Sequence, residues 1–185
     1  MTESLWTRVA DLPLVVERHA VEPLAAPAPA ERVTLLVRLA GAGAEGLGED
    51  VGGDMLDKDG AFVAAAPELA LAGEWTLASF GEHVAGLDLW PEPPEWDKAP
   101  RFRTWAFESA ALDLALRHAG IGLPEALGRE AAPVRFVNSL GLGDPPVFGA
   151  VGRRLERYPG VRFKLDAQAT WSPELTAEVA GTGSP

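Results

Sequence analysis

A chain of 185 residues, 47% hydrophobic and 23% charged, lies in the ordinary globular range and can hold one domain with a proper core, or one domain and a piece of another. Sixteen Lys and Arg against 27 Asp and Glu give a net charge of −11, which opposes phosphate backbones, and no basic cluster with interleaved aromatics offsets it, so no nucleic-acid partner is expected. The lack of cysteine removes disulfide and thiolate-metal chemistry, the opening MTESLWTRVADLP is no signal peptide, and no apolar run approaches the roughly 18 residues of a membrane span, so a cytoplasmic protein without membrane contact is expected.

In chain order, Leu14–Glu22 (LVVERHAVE) is Val-rich and loosely alternating and predicts a strand. Pro23–Pro29 reads as a loop, because repeated proline cannot sustain a ladder. Arg32–Ala40 (RVTLLVRLA) is β-branched, apolar and bounded by breakers, which makes it the best strand of the first third. Gly46–Val51 returns antiparallel after a Gly-rich turn, giving a three-stranded N-terminal sheet with a long Pro-rich loop between its first two strands. Asp54–Ala66 and Thr76–Leu87 have apolar residues at helical spacing, with Thr76 as N-cap and Pro67 and Gly73 as punctuation. Leu89–Pro100 is a Pro-rich connector. A long helix over Phe102–Ala119 follows, closed by Gly120 and apolar on more than one side. Then come a strand at Pro133–Leu140, a helix at Val147–Tyr158, a strand at Val161–Asp166, and a helix at Pro173–Ala180 capped by Ser172. This β-α-β-α alternation predicts parallel strands.

Three motifs fail on context. Gly41–Gly46 (GAGAEG) matches the dinucleotide fingerprint, but the text after it is neither helical nor free of carboxylates, so a hairpin turn is expected. Asp57-Lys58-Asp59-Gly60 echoes a calcium loop, yet the register puts Met55 and Ala66 at ligand positions. His19, His83 and His118 lie in different elements without metal-ligand spacing and read as ordinary polar residues.

Lys164 stands apart. In GVRFKLDA, alternation puts Arg162, Lys164 and Asp166 on one face and Val161, Phe163 and Leu165 on the other. On an isolated sheet the polar face is simply wet; in a parallel barrel it points inward, near the mouth where catalysis occurs. A partly desolvated lysine beside another cation gives up its proton more readily and can serve as a base.

The order of these pieces resembles the enolase superfamily, in its muconate-lactonizing and mandelate-racemase-like branch. RVTLLVRLAGAGAEGLGEDV is similar to that family's capping sheet with its Gly-Glu pair (Gly48-Glu49), ESAALDLALRHAG to its long Ala-rich helix, LPEALG to the close of that helix, PVRFVNSL to the first barrel strand and VRFKLD to the second. The resemblance implies an α+β capping domain over residues 1–132 and the first two βα units of an incomplete (β/α) barrel over 133–185, with the long helix wedged between sheet and barrel. It implies a lyase, racemase or cycloisomerase that abstracts a proton α to the carboxylate of a small substrate, with Mg2+ stabilising the enediolate. Lys164 then matches the base, and Arg162 stands where the family has a lysine. Pro23–Glu31 and Glu49–Asp54, with Glu49 and Asp50, match the loops that close over the barrel mouth and set specificity.

Two departures shape the expectation. LDAQATW is also similar to the family's third-strand motif, which would make Asp166 a metal ligand; strand counting favours the second strand and Lys164. Only two of eight barrel strands fit in the chain, so the expectation is an N-terminal portion of a longer enzyme, inactive by itself and without the metal ligands, compatible with a homo-oligomer. The alternative is a non-catalytic α/β binding or interaction module.

Overall fold

The strand that reads best from sequence is the centre of the first sheet. In the computed structural model, which describes residues 4–25, 33–51, 62–90, 94 and 97–183, β3 (Val33–Gly41) lies between β2 (Arg18–Ala25) and β4 (Ala44–Asp50) in an antiparallel sheet of order β2-β3-β4. Val37 faces Val21 on one side and Gly48 on the other. The hairpin joining β3 to β4 turns at Ala42 and Gly43, both at positive φ. Two such residues in succession suit the tight turns that match strand twist, so GAGAEG is a hairpin and its last glycine lies inside β4.

LVVERHAVE is two strands, which corrects the expectation of one. β1 (Pro13–Val16) leaves the main sheet and pairs antiparallel with β5 (Gly73–Thr76), Leu14 opposite Trp75, while β2 begins at Arg18 and runs through Pro23 to Ala25. Pro23 is tolerated because β2 is an edge strand, where a missing N–H need not break a ladder. The predicted loop Pro23–Pro29 therefore begins later, and residues 26–32 lie outside the described ones, as do most of the helix expected at Asp54–Ala66 and the calcium-like Asp57–Gly60. Residues 62–65 are helical.

β5 leads directly into α1 (Leu77–Ala85). Thr76 closes a capping box: its Oγ1 accepts from Ser79 N at 3.1 Å, and Ser79 Oγ accepts from Thr76 N at 3.0 Å. Helix α2 (Ala99–Ala119) ends on Gly120, left-handed at φ 67°, with its N–H returned to the Arg117 carbonyl. A short helix α3 spans Leu123–Ala126.

Helix α2 makes its most extensive contact with β4. Gly46 and Gly48 are what permit it: a Cβ on Gly48 would collide with the Ala106 carbonyl and the Ala110 nitrogen, and one on Gly46 with the backbone of Ala110 and Leu114. Strand and helix thus meet almost backbone to backbone, glycine against alanine. The second apolar side of α2 rests on α1, an element of the same unit. Leu14, Val37, Leu39, Phe80, Phe107 and Leu114 fill the core between sheets and helices, with Phe62 set edge-on to Phe107 at 6.4 Å.

The chain divides into two compact units, Met1–Ala131 and Ala132–Pro185. The second holds β6 (Asn138–Leu140), α4 (Gly149–Arg157), β7 (Phe163–Leu165) and α5 (Pro173–Ala180). β6 and β7 are parallel, as the βα alternation predicts, with Ser139 opposite Lys164. The strand expected over Pro133–Leu140 is confined to its last three residues. Ser172 caps α5 by accepting from Leu175 N at 3.1 Å, with Pro173 opening the helix. At the second residue of α5, the backbone N–H of Glu174 and then the Ser172 hydroxyl hold the Glu174 carboxyl below the usual carboxylate range.

Candidate functional site

The second unit has two unlike faces. Leu140, Phe163 and Leu165 pack on one side against Leu142 and Val151 and against Leu175 of α5. Ser139 and Lys164, adjacent in register, stand exposed on the other. Arg162 and Asp166 are exposed too, so the alternation read from GVRFKLDA is the alternation observed. Both helices contribute to the apolar side, and the polar side is exposed.

Lys164 Nζ donates to Asp166 Oδ1 at 2.7 Å, with the lysine side chain 59% exposed. A pair this exposed contributes about 0–1 kcal/mol. The Arg162 carbonyl accepts from Asn138 N at 2.7 Å and fixes the start of the parallel pairing. Chemically, the face offers one ammonium, one guanidinium, one hydroxyl and one carboxylate on a short rigid ladder. This set can hold a carboxylate and move a proton.

The two acidic residues of the expected specificity loop lie elsewhere, at the end of β4. Glu49 Oε1 accepts from Thr34 Oγ1 at 2.6 Å across the sheet. Asp50 is buried and accepts from Arg103 Nε at 3.1 Å. Residues 52–61 lie outside the described residues.

The three histidines have structural partners. Each gives its Nε2–H to a backbone carbonyl: His19 to Ala66 at 2.7 Å, His83 to Ala70 at 2.7 Å and His118 to Gly41 at 2.9 Å. His83 also stacks on Trp75. Among the described residues no three His, Asp or Glu side chains converge as a metal site would need, and no helix is long and apolar enough to cross a membrane.

Sequence reasoning missed two features. One is the buried Arg103, whose guanidinium lies 3.6 Å from the Trp90 ring centroid and 4.1 Å from that of Phe62. Its signal was a lone arginine among apolar helix positions. The other is an aromatic cleft beside Glu108, formed by residues too far apart in sequence to announce it.

No curated protein matches the chain. A family model described as a domain of unknown function (DUF8230), N-terminal domain, matches residues 7–126, and its C-terminal counterpart matches residues 130–184. Together the two matches cover both structural units, and the chain belongs to the DUF8230 family.

Proposed function

We propose that the second unit is the start of an enolase-like (β/α) barrel and the first its capping domain, and that Lys164 removes a proton α to a substrate carboxylate once further βα units complete the enclosure. The observation that carries this reading is the two-faced β6–β7 pair, with α4 and α5 behind it and Ser139 and Lys164 in front. Completing the barrel would turn that open face inward and exclude water from it. The ion pair with Asp166 opens and Lys164 releases its proton to solvent, Arg162 on the same face holds the substrate carboxylate, and the resulting Lys164 amine takes the α-proton while the electron pair delocalises into the carboxylate. Magnesium, which the resemblance implies, does not fit the described residues, because no set of acidic side chains among them converges.

Proton exchange tests this. Small 2-substituted carboxylates are incubated in D2O with Mg2+, and loss of the α-proton is followed by NMR. A chain extended by further βα units should exchange at least one of them, with Lys164→Ala abolishing the exchange. The 185-residue chain alone should exchange none. Exchange that survives Lys164→Ala refutes the assignment.

A second reading, a non-catalytic interaction module, draws support from the apolar strip Val134, Phe136 and Val137 just before β6, where Phe136 is 84% exposed. It predicts self-association or partner capture that Phe136→Ser abolishes, and no exchange in any context.

A further inference from the structure

We propose that the cleft between the N-terminal 3-10 turn (Trp6–Arg8), α1 and α2 is a binding site for an organic monocation, an alkyl- or arylammonium with an apolar body. The cleft lies wholly in the first unit, so this site is independent of the reaction proposed for Lys164.

The cleft encloses about 480 Å3, within the size range of small-ligand sites. Its walls are Trp6, Val9, Leu77, Trp105 and Leu112, and its one titratable group is Glu108. Trp6 and Trp105 each keep 52% of their surface exposed here, although an indole of that size is ordinarily packed away. Phe102 sets Trp105 in place edge-on, at 5.3 Å between ring centroids.

Glu108 completes the set. Its carboxylate lies against the backbone of α1, with Oε1 3.5 Å from where a Cβ on Gly81 would stand. Among the described residues no donor reaches it, and no basic side chain lines the cleft. Burial alone pushes its carboxyl above the usual carboxylate range. A half-buried, unpartnered carboxylate between aromatic walls is electrostatically incomplete, and the missing charge is positive.

The alternatives fit less well. An anion meets Glu108 and a chain of net charge −11. A neutral apolar ligand would desolvate the carboxylate further without pairing it. A metal ion would find one carboxylate where it needs several ligands. An ammonium pairs with Glu108, draws on the negative faces of two indoles, and places its apolar body against Val9, Leu77 and Leu112.

Benzylammonium is a suitable probe, with benzyl alcohol as neutral isostere and benzoate as anion. Each is titrated into the 185-residue chain at neutral pH and low salt, reading heat and the indole N–H resonances of Trp6 and Trp105. Benzylammonium should bind saturably and shift both indole signals, and the alcohol and benzoate should bind at least tenfold more weakly. Glu108→Gln should weaken benzylammonium at least tenfold without changing the alcohol. A second variant, Trp105→Leu, should weaken benzylammonium while the far-UV spectrum keeps its shape. Equal affinity for ammonium and alcohol, an unchanged Glu108→Gln, or no saturable binding each overturns the proposal.

Discussion

Arg103 and Asp50 form an ion pair that solvent does not reach. The guanidinium Nε donates to Asp50 Oδ2 at 3.1 Å, an Nη donates to the Leu89 carbonyl at 3.0 Å, and only 2% and 5% of the two side chains is exposed. The pair ties the end of β4 to the N-terminal part of α2, with Trp90 and Phe62 against the faces of the guanidinium.

Breaking one half of such a pair removes the nearest counter-charge, 3.1 Å away, from a buried partner. Asp50→Ala or Arg103→Ala should each lower the unfolding free energy by about 3–5 kcal/mol, measured by urea denaturation. Asp50→Leu with Arg103→Met should cost clearly less than the sum of its single changes, because both desolvated charges then disappear. A strictly additive double variant would show that the pair is not coupled.

The glycines of β4 give a steric prediction. Gly48→Ala puts a methyl group into the Ala106 carbonyl, so helix and strand must separate; the cost should reach the upper end of the ~1–3 kcal/mol usual for overpacking, or exceed it. Gly43→Ala, by contrast, meets nothing within 4 Å and suffers only its left-handed backbone, at about 1–2 kcal/mol. Thermal melting of the two variants should rank Gly48→Ala as the more damaging.

These examples show how far the sequence could be read. Punctuation was legible because it is local: Thr76, Gly120 and Ser172-Pro173 cap the elements expected from their residue types. So was β3, whose mainly apolar run, interrupted only by Thr34 and Arg38, suits the central strand of a sheet. Partnership was not legible. Nothing in LVVERHAVE reveals that its first half pairs with Gly73–Thr76 some sixty residues later, and GEWT, too short to carry a period, reads as a break. Val134–Val137 has strand composition but joins no sheet among the described residues, and its apolar side chains stay exposed. On the candidate site, the alternation around Lys164 was readable to the residue. The Lys164–Asp166 contact agrees with it, whereas the Glu108 cleft needed three distant segments brought together.

Glu108 also makes stability depend on pH with a definite sign. Burial raises its folded-state pKa, so the stability it contributes is fully present below the ordinary carboxylate pKa of about 4.3 and is lost as pH rises through the raised value. Glu108→Gln removes this dependence. The variant should melt higher than the wild type at pH 7, and the difference should shrink toward pH 4. A gap that widens on acidification would contradict the assignment of burial as the cause.

The capping box predicts a smaller effect. Thr76→Ala frees Ser79 N and should cost about 1 kcal/mol, with Thr76→Ser restoring most of it. Hydrogen exchange should locate the loss in the first turn of α1.

The reaction proposed for Lys164 depends on which side chain of GVRFKLDA acts as the base, and paired substitutions in a chain extended by further βα units decide it most directly. Turnover and magnesium affinity are measured for Lys164→Ala and Asp166→Asn. With Lys164 as the base on the second strand of a barrel, Lys164→Ala should remove most turnover and leave magnesium affinity unchanged, and Asp166→Asn should barely alter metal binding. Loss of magnesium binding in Asp166→Asn, together with substantial turnover in Lys164→Ala, would contradict the account and make Asp166 a third-strand metal ligand.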